Sequence, residues 1–277
     1  MKILITGASG FVGRHVVNEL LKYDHEIIIA GRNKNLFTNK KVNFIFFDLE
    51  KLNANKNYFE YFGAPDLLIH LAWQGLPNYK SLFHFEKNLP QHYSFLKNII
   101  ENGLKKLVVT GTCFEYGMKE GCLSEDMITD PKNPYALAKD TLRKFLFELQ
   151  KKNNLDLKWI RLFYMYGAGQ NSNSLLSQLQ IALNRGDEIF NMSGGEQQRD
   201  YLPVEKVAEY IVTIALQNVE GIINCCSGKQ IKIKQLVENY LEKTNQKIKL
   251  NFGYYPYPDY EAMSFWGDDT KLKQILN

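Results

Sequence analysis

The chain has 277 residues, 45% of them hydrophobic and 23% charged, which is enough for one large domain or two small ones with an ample core. Its net charge of +4 is small and dispersed, which argues against a nucleic-acid partner. No apolar run approaches the roughly 18 residues of a membrane-spanning helix, and the first apolar run is too short for a signal peptide. We therefore expect a cytoplasmic protein with no membrane partner.

The four cysteines and five histidines show no recognisable ligand spacing. The cysteines match neither a disulfide scaffold nor a zinc site, so reduced thiols are the simplest interpretation. The histidines lack a His-x-x-x-His or comparable pattern. The sequence therefore predicts no metal site.

The opening residues predict a strand, a glycine turn and a helix. Lys2 to Thr6 is a short apolar run typical of a buried strand, and apolar residues recur at helical spacing from Phe11 onward. Between them lies a Gly-x-x-Gly-x-x-Gly pattern, which allows a tight turn, lets backbone N–H groups approach a pyrophosphate and lets the helix pack close to the strand. The dinucleotide-binding residues predicted here are Gly7, Gly10, Phe11, Val12 and Gly13.

The next two strands bear on the choice of cofactor. Residues 26 to 30 predict a buried strand, about twenty residues beyond the glycine turn, where an acidic residue would bind the adenosine ribose of NAD. Arg32 stands there instead, and a guanidinium suits a 2′-phosphate, so NADP(H) is the predicted cofactor and NAD(H) the alternative. The simpler alternative is a surface arginine in a turn. A third strand, residues 42 to 47, leads to Asp48 and Leu49, which we place beside the adenine.

Strands and helices continue to alternate as far as residue 166. Further strands are predicted at residues 67–71, 106–110 and 157–163, and helices at residues 81–102 and 134–153. The inner face of the second helix is predicted to include Leu137, Leu142, Phe145 and Leu149. This alternation predicts an α/β fold with a doubly wound parallel sheet, a Rossmann domain.

Beyond Gly167 the pattern changes. A polar loop is followed by predicted helices at residues 175–184 and 233–244, a strand at residues 222–226 and an irregular aromatic tail around residues 254–258. We predict a Rossmann domain over residues 1–166 and a smaller C-terminal substrate-binding lobe over residues 167–277, from which the chain partly returns to the first domain. The cleft between them is the predicted substrate site.

Three polar side chains are candidates for proton transfer. Tyr135 and Lys139 stand four residues apart on a predicted helix and so share one face. An ammonium beside a phenol favours the phenolate and should lower the phenol pKa from about 10, and the same ammonium can reach ribose hydroxyls. Thr112 follows the fifth strand, where its hydroxyl could hold a carbonyl or alkoxide oxygen. The predicted catalytic residues are therefore Thr112, Tyr135 and Lys139.

Aromatic residues are candidates for the wall of a sugar or base pocket. They are Trp73, Tyr79, Tyr164 and Tyr201, and for each the alternative is an ordinary place in the core. Trp73 is the strongest candidate because it follows a strand end at the cofactor site.

These motifs together resemble the extended short-chain dehydrogenase/reductases of the nucleotide-sugar epimerase/dehydratase family, over nearly the full length of the chain. The matching stretches are residues 6–13, His70-Leu71-Ala72, Asn88, residues 135–139 and Arg199-Asp200-Tyr201. The resemblance implies that Tyr135 is the acid/base and Lys139 its partner. It also implies cofactor contacts from Leu71, Ala72 and Asn88, a diphosphate contact from Arg199, and a homodimer.

The chain also departs from this family. Dehydratases carry an Asp–Glu acid–base pair directly after the position of Thr112, where this chain has Cys113 and Phe114. Dehydration is therefore not expected, and we interpret Cys113 as a small buried hydrophobe. Tyr164 stands where the family usually has an asparagine that contacts substrate. Glu115 and Asp200 are expected to be structural.

Together with Arg32, the resemblance implies an NADPH-dependent enzyme that reduces the 4-keto group of a nucleotide-linked 4-keto-6-deoxy sugar. Residues 190–197 and the C-terminal residues 257–258 and 265–267 resemble bacterial reductases of dTDP-linked 4-keto-6-deoxy sugars, which serve surface polysaccharide biosynthesis. A nucleotide-sugar 4-epimerase with tightly bound NAD is the alternative. A third hypothesis is an NADP-binding sensor without catalytic activity.

Overall fold

A seven-stranded parallel sheet forms the centre of the computed structural model, which describes residues 1–33 and 41–277. In chain order the strands are Lys2–Thr6 (β1), Glu26–Gly31 (β2), Val42–Phe46 (β3), Leu67–His70 (β4), Lys106–Thr112 (β5), Asp156–Leu162 (β6) and Gly221–Cys225 (β7). Their spatial order is β7-β6-β5-β4-β1-β2-β3, with every neighbouring pair parallel. This is the doubly wound α/β architecture predicted from the sequence.

The helices lie on both faces of this sheet and in a C-terminal lobe. They are Phe11–Leu20 (α1), Tyr58–Tyr61 (α2), Leu89–Glu101 (α3), Pro134–Lys152 (α4), Leu175–Arg185 (α5), Val204–Leu216 (α6), Ile233–Thr244 (α7) and Thr270–Leu276 (α8). Among the described residues, none of these helices is both long and apolar enough to cross a membrane.

The alternation of side chains along β1 divides the core into two layers. Ile3 and Ile5 pack with apolar residues of α1 and α6, whereas Leu4 faces the opposite layer with residues of α3 and α4. Successive strand residues point to opposite faces of a sheet, so a strand that is apolar throughout must be covered on both sides. This requirement explains why β1 reads as a continuous apolar run.

The strand order reverses beside β1, and this position locates the site. Thr6, the last residue of β1, is in register with Ala30 of β2 and with His70 of β4. In an open α/β sheet, ligands bind at the carboxyl ends of the strands where the order reverses. The glycine turn after β1 and the residues after β4 and β5 therefore meet at one edge.

The second part of the chain builds a separate small core and also returns to the sheet. Phe190 and Met192 pack with α5 and α7, and the short strands Ile189–Asn191 and Lys249–Asn251 pair beside them. The strand β7 then joins the central sheet next to β6.

Two sequence predictions are wrong in detail, although the strand ends of the sheet lie within two residues of those predicted. The helix predicted over residues 81–102 is a π-helical turn, His84–Asn88, followed by α3, whose first turn contains Pro90. A proline has no backbone N–H to donate, so it fits the first turn of a helix and disfavours the interior. On α4, Leu137 and Phe145 are 46% and 42% exposed, because the buried face is formed by Ala136 and Ala138 near the first and by Leu142 and Leu146 near the second.

Candidate active site

The turn after β1 has the shape of a phosphate cradle. Gly7 has φ +76°, and a Cβ there would lie 2.5 Å from the Ala72 nitrogen and 2.6 Å from the Leu71 carbonyl carbon. A Cβ on Gly13 would lie 2.1 Å from the Gly7 oxygen, so only glycine lets α1 begin this close to β1. Gly10 precedes α1 and offers no side-chain cap, so the first N–H groups of the helix, those of Phe11 and Val12 among them, donate no hydrogen bond to an N-cap side chain. These residues fit the pyrophosphate of a dinucleotide.

The residues predicted to contact the adenosine end lie along the neighbouring strands. Arg32 directly follows β2, its side chain is 63% exposed, and its guanidinium lies 3.5 Å from a Glu50 carboxylate oxygen. Asp48 accepts a hydrogen bond from the Glu50 backbone N–H at 3.1 Å, while Leu49 is buried. An exposed pair of this kind binds weakly, so Arg32 can exchange its partner for a ligand phosphate.

The three predicted catalytic residues come together beside this turn. Asn133 caps α4 by accepting from the Ala136 N–H at 2.9 Å, which places Tyr135 and Lys139 one turn apart. Lys139 is buried and its Nζ donates to the Thr110 carbonyl of β5 at 2.8 Å. Thr112 ends the same strand, so α4 is fastened against it.

Burial dominates the electrostatics of this group. It lowers the pKa of the Lys139 ammonium from its usual 10.5 to about 7, against a smaller opposing influence of the Glu115 charge. It raises the pKa of the Tyr135 phenol well above its usual value, and a hydrogen-bonding interaction with Thr112 acts in the opposite direction. The expectation of a Tyr135 pKa below its usual value is therefore wrong in this structure, because burial outweighs any favourable neighbour, and Tyr135 is a protonated phenol at neutral pH.

A buried carboxylate that sequence reasoning treated only as structural fixes the position of Thr112. Glu115 accepts from the Thr112 backbone N–H at 2.9 Å, from Trp159 Nε1 at 3.0 Å and from Arg161 Nε at 2.9 Å, and Arg143 lies within ion-pair distance. The Thr112 hydroxyl in turn caps the following 3₁₀ turn in a capping box with Glu115. Glu115 thus holds together the end of β5, β6 and α4.

Two histidines, His70 and His92, lie next to the site, and the sequence did not predict a role for either ring. Thr6 Oγ1 lies 2.7 Å from His70 Nδ1, His70 Nε2 lies 2.7 Å from His92 Nδ1, and His92 Nε2 lies 3.2 Å from Gln74 Oε1. Burial lowers the pKa of His70 to about 3 and lowers that of His92 well below its usual value, so both rings are neutral. Within the described ranges, no cluster of His, Cys, Asp or Glu side chains has the arrangement of a metal site.

Trp73 and Asn88, both predicted contacts, lie among these groups. The Trp73 Nε1 donates to His84 Nδ1 at 3.1 Å, and the Lys139 Nζ lies 4.2 Å from the centroid of the indole. Asn88 is fully buried and donates to the Gln74 carbonyl at 2.9 Å, while its Oδ1 has no partner among the described residues. A buried acceptor without a partner is expensive, so the Asn88 oxygen is suited to a donor from a ligand or water.

Aromatic rings pack around Tyr135. Tyr79 lies 5.6 Å from Tyr135 and 5.2 Å from Phe114, measured between ring centroids. Phe114 also contacts Tyr164 and Tyr260 at 6.1 Å and 6.3 Å. The rings near the phenol are therefore aromatic, and three of them, Tyr79, Tyr164 and Tyr260, also carry a hydroxyl.

Arg199, the predicted diphosphate contact, is buried, and its guanidinium is hydrogen-bonded to groups of the protein. It is 1% exposed and donates from Nη2 to a Glu261 carboxylate oxygen at 2.9 Å and from Nη1 to the carbonyls of Gln198 and Met263. Its guanidinium carbon is 4.5 Å from the centroid of Phe265 and 5.8 Å from that of Tyr164. The Tyr164 hydroxyl is buried and has no hydrogen-bond partner in the described part of the chain.

These residues can deliver one proton, from the Tyr135 phenol, to a substrate oxygen. Tyr135 is the protonated donor, and Thr112 supplies a second hydroxyl. Cys113 is 5% exposed, as predicted, and burial raises the pKa of its thiol, while Phe114 has no ionisable group. These two positions therefore offer no acid–base pair for removing a hydroxyl and an adjacent proton.

Comparison with known proteins gives a consistent result. A family model described as the NAD dependent epimerase/dehydratase family matches residues 3–226. The chain is 32% identical over 271 residues to a dTDP-6-deoxy-L-talose 4-dehydrogenase (NAD(+)) from Aggregatibacter actinomycetemcomitans, covering 96% of this chain and 99% of the relative. It is 27% identical over 268 residues to a dTDP-4-dehydro-6-deoxyglucose reductase from Escherichia coli, covering 90% and 84%.

The fold matches solved structures over its whole length. The structure of MoeE5 in complex with UDP-glucuronic acid and NAD superposes with a TM-score of 0.84 at 25% identity, covering 100% of this chain and 92% of that one. Fold and sequence thus give the same assignment.

Proposed function

The chain belongs to the NAD-dependent epimerase/dehydratase family, and from that premise we propose that it is a nucleotide-sugar oxidoreductase acting at C4 of a dTDP-linked 6-deoxy sugar. The favoured direction is reduction of the 4-keto group by a reduced nicotinamide dinucleotide. The observation that carries this proposal is the protonated phenol of Tyr135, one helical turn from Lys139 and with Thr112 beside it, together with the pair Cys113–Phe114, which offers no acid–base groups.

The two named relatives support the choice of reaction. Both names describe oxidation or reduction at C4 of a dTDP-linked 6-deoxyhexose. The rings of Tyr79 and Phe114 are compatible with such a sugar, because their faces offer an apolar surface on which the C6 methyl group of a 6-deoxy sugar can pack. A 6-hydroxyl placed there would lose its hydrogen bonds with water.

Each of the chain's own groups has a role in this reaction. When bound, the dinucleotide supplies the hydride. Tyr135 donates its phenolic proton to the oxygen that gains charge, and the Thr112 hydroxyl donates to the same oxygen. Lys139 in its charged form stabilises the phenolate that Tyr135 leaves behind and can hold ribose hydroxyls.

Binding is assigned to the remaining predicted residues. The glycine turn with Leu71 and Ala72 would hold the pyrophosphate side of the dinucleotide, and Asp48 and Leu49 would contact its adenine. Asn88 would accept a hydrogen bond from the dinucleotide through its unpartnered Oδ1. Trp73 and Tyr164 remain proposed sugar-pocket residues. Arg199 would hold the sugar diphosphate, for which Glu261 must give up its place.

We propose NADP(H) as the preferred dinucleotide, because Arg32 occupies the position at the end of β2 and no acidic residue precedes it there. NAD(H) remains the alternative, and the relative from A. actinomycetemcomitans carries NAD(+) in its name.

The oligomeric state, the division of the chain into domains and the cellular location are also proposals. We propose a cytoplasmic homodimer in which α3 and α4 meet their copies, because Phe145 and Leu137 are exposed on α4 and Tyr93 of α3 packs against Phe145 at 5.1 Å. We also keep the division into residues 1–166 and 167–277, with β7 as the segment that returns to the first domain.

The direct test follows NADPH or NADH absorbance after addition of dTDP-4-keto-6-deoxyglucose, with Tyr135→Phe as the matched control. We expect the absorbance to fall with the wild type and to stay constant with Tyr135→Phe. The reverse reaction is assayed with dTDP-6-deoxy-L-talose and either oxidised cofactor. Absence of turnover with these compounds and with CDP- and GDP-linked 4-keto sugars would contradict the proposal.

The 4-epimerase alternative differs in cofactor use. An epimerase returns the hydride to the sugar, so purified protein would release stoichiometric NAD on denaturation and would consume none during turnover. Finding both properties would favour the alternative over the reductase.

A further inference from the structure

We infer that Trp73 is a positioning residue for Lys139, and that its indole face, held by two histidines, takes the place of a carboxylate partner for the buried ammonium. The inference concerns the same site as the proposed function. Its first test needs no ligand, so the two can fail independently.

The need for such a partner follows from the surroundings of Lys139. The side chain is 2% exposed, and its one hydrogen bond within the described ranges goes to the Thr110 carbonyl at 2.8 Å. The carboxylate whose charge acts on it, Glu115, is already bonded to Arg161, Trp159 and the Thr112 backbone. A buried ammonium that lacks an ion pair is unfavourable, so other attractive groups must contribute.

The indole supplies that attraction. The Lys139 Nζ lies 4.2 Å from the centroid of the Trp73 ring, well inside the ~6 Å range of a cation–π contact. Tryptophan has the most favourable ring for this purpose, and the contact is strongest when water is excluded. Trp73 also lies edge-to-face with Tyr135 at 6.1 Å, so one side chain contacts both members of the pair.

The orientation of the indole is fixed by His84 and His92. Trp73 Nε1 donates to His84 Nδ1 at 3.1 Å, and the other nitrogen of His84 donates to the Asn78 carbonyl at 2.9 Å. His92 stacks on the indole with ring centroids 4.6 Å apart and planes at 26°. The ring can therefore neither tilt nor slide without losing one of these contacts.

The hydrogen-bond chain behind His92 keeps that ring uncharged. Because the Gln74 oxygen accepts from His92 Nε2, His92 Nδ1 must accept from His70 Nε2, and His70 Nδ1 accepts from the Thr6 hydroxyl. Each nitrogen in the chain is satisfied with both rings neutral. A second cation on His92 would lie against the indole and repel Lys139, so the neutral chain preserves the attraction.

The first test measures the free energy of unfolding as a function of pH for the full chain and for its Lys139→Met derivative. The difference between the two gives the titration midpoint of Lys139, and the same pair of proteins is made for each Trp73 variant. Among the described residues, the other titratable groups that face Lys139 are Tyr135, His70, His84, His92 and Glu115, and they are the same in both proteins. Trp73→Leu should lower the Lys139 titration midpoint by about one pH unit, and Trp73→Phe by less. Trp266→Leu, in the strand Phe265–Gly267, is the matched control and should leave it unchanged.

An unchanged midpoint in Trp73→Leu would overturn the inference. Should that variant fail to fold, fluorinated tryptophan incorporated into the wild type keeps the shape of the ring while weakening its attraction for a cation. The midpoint should then fall in the wild type and stay constant in Trp73→Phe carrying the same label. A constant midpoint in both would equally overturn it.

The second test uses turnover. In Trp73→Leu the pH at which kcat falls should move by the same amount as the Lys139 midpoint, with Trp73→Phe restoring most of the wild-type profile. A uniform loss of kcat at every pH would mean that Trp73 is only structural. No turnover by the wild type would count against the proposed function alone.

Discussion

Replacing Lys139 by methionine should stabilise the protein while removing its activity. The side chain is buried, and burial lowers the pKa of its ammonium to about 7 from 10.5. A group whose pKa is lowered in the folded state opposes folding. Its cost is complete below the folded pKa and disappears as the pH rises through the unfolded pKa.

The magnitude follows from the two pKa values. A difference between 10.5 and about 7 corresponds to about 5 kcal/mol when the group is fully charged. Loss of the bond to the Thr110 carbonyl costs about 1–2 kcal/mol at every pH. We therefore expect Lys139→Met to gain about 2–4 kcal/mol at pH 6, and the gain to shrink by about 2.5 kcal/mol at pH 9.

The assay is equilibrium urea unfolding of both proteins at the two pH values, with Lys158→Met as the matched control. Lys158 is equally buried but has an ion-pair partner, Asp156, at 2.7 Å. Removing one member of such a pair leaves a charge uncompensated, so this variant should be less stable than the wild type. The two lysines thus have opposite expected effects.

Two outcomes would refute the reasoning. Lys139→Met could be less stable than the wild type at pH 6, which would mean that its ammonium is well compensated. Alternatively, the gain could be the same at both pH values, which would show that Lys139 does not titrate between them.

Four further predictions concern binding, chemistry and assembly. Tyr135→Phe should lower kcat at least about a hundredfold with unchanged dinucleotide affinity, since a positioned acid contributes about 10²–10⁴-fold; surviving turnover would mean another proton donor. Arg32→Ala should raise the KM for NADPH about fivefold and leave that for NADH unchanged, as expected for an exposed charge contact; equal effects on both would show that Arg32 does not contact a 2′-phosphate. Arg199→Ala should weaken nucleotide-sugar binding by about 1.5–3 kcal/mol in calorimetry, and an unchanged affinity would place the diphosphate elsewhere. Phe145→Lys should shift the protein from dimer to monomer in sedimentation; a wild-type monomer would contradict the proposed interface.

Much of the fold could be predicted from the sequence because its signals are local. The glycine spacing before α1, the apolar runs of the buried strands and the four-residue interval between Tyr135 and Lys139 each depend on neighbours along the chain. The exposed positions Leu137 and Phe145 were predicted wrongly. Apolar residues occur on more than one side of α4, and only its packing against the sheet decides which side is buried.

The site itself required the tertiary structure. Trp73 and Lys139, Arg199 and Glu261, and Glu115 and Arg161 are distant in the chain and meet only because the strand order of the sheet brings their segments together. The pair His84 and His92, eight residues apart, could have indicated a shared face of one helical segment, but not its contact with Trp73.

Residue identity and spacing thus determined which groups are available: a glycine cradle, a tyrosine, a lysine and a threonine on a parallel sheet. The folded structure decided their protonation and partners, since a pKa depends on water access and neighbouring charge. The Tyr135 phenol stays protonated, and the pKa of the Lys139 ammonium is lowered to about 7, because of the segments packed around them.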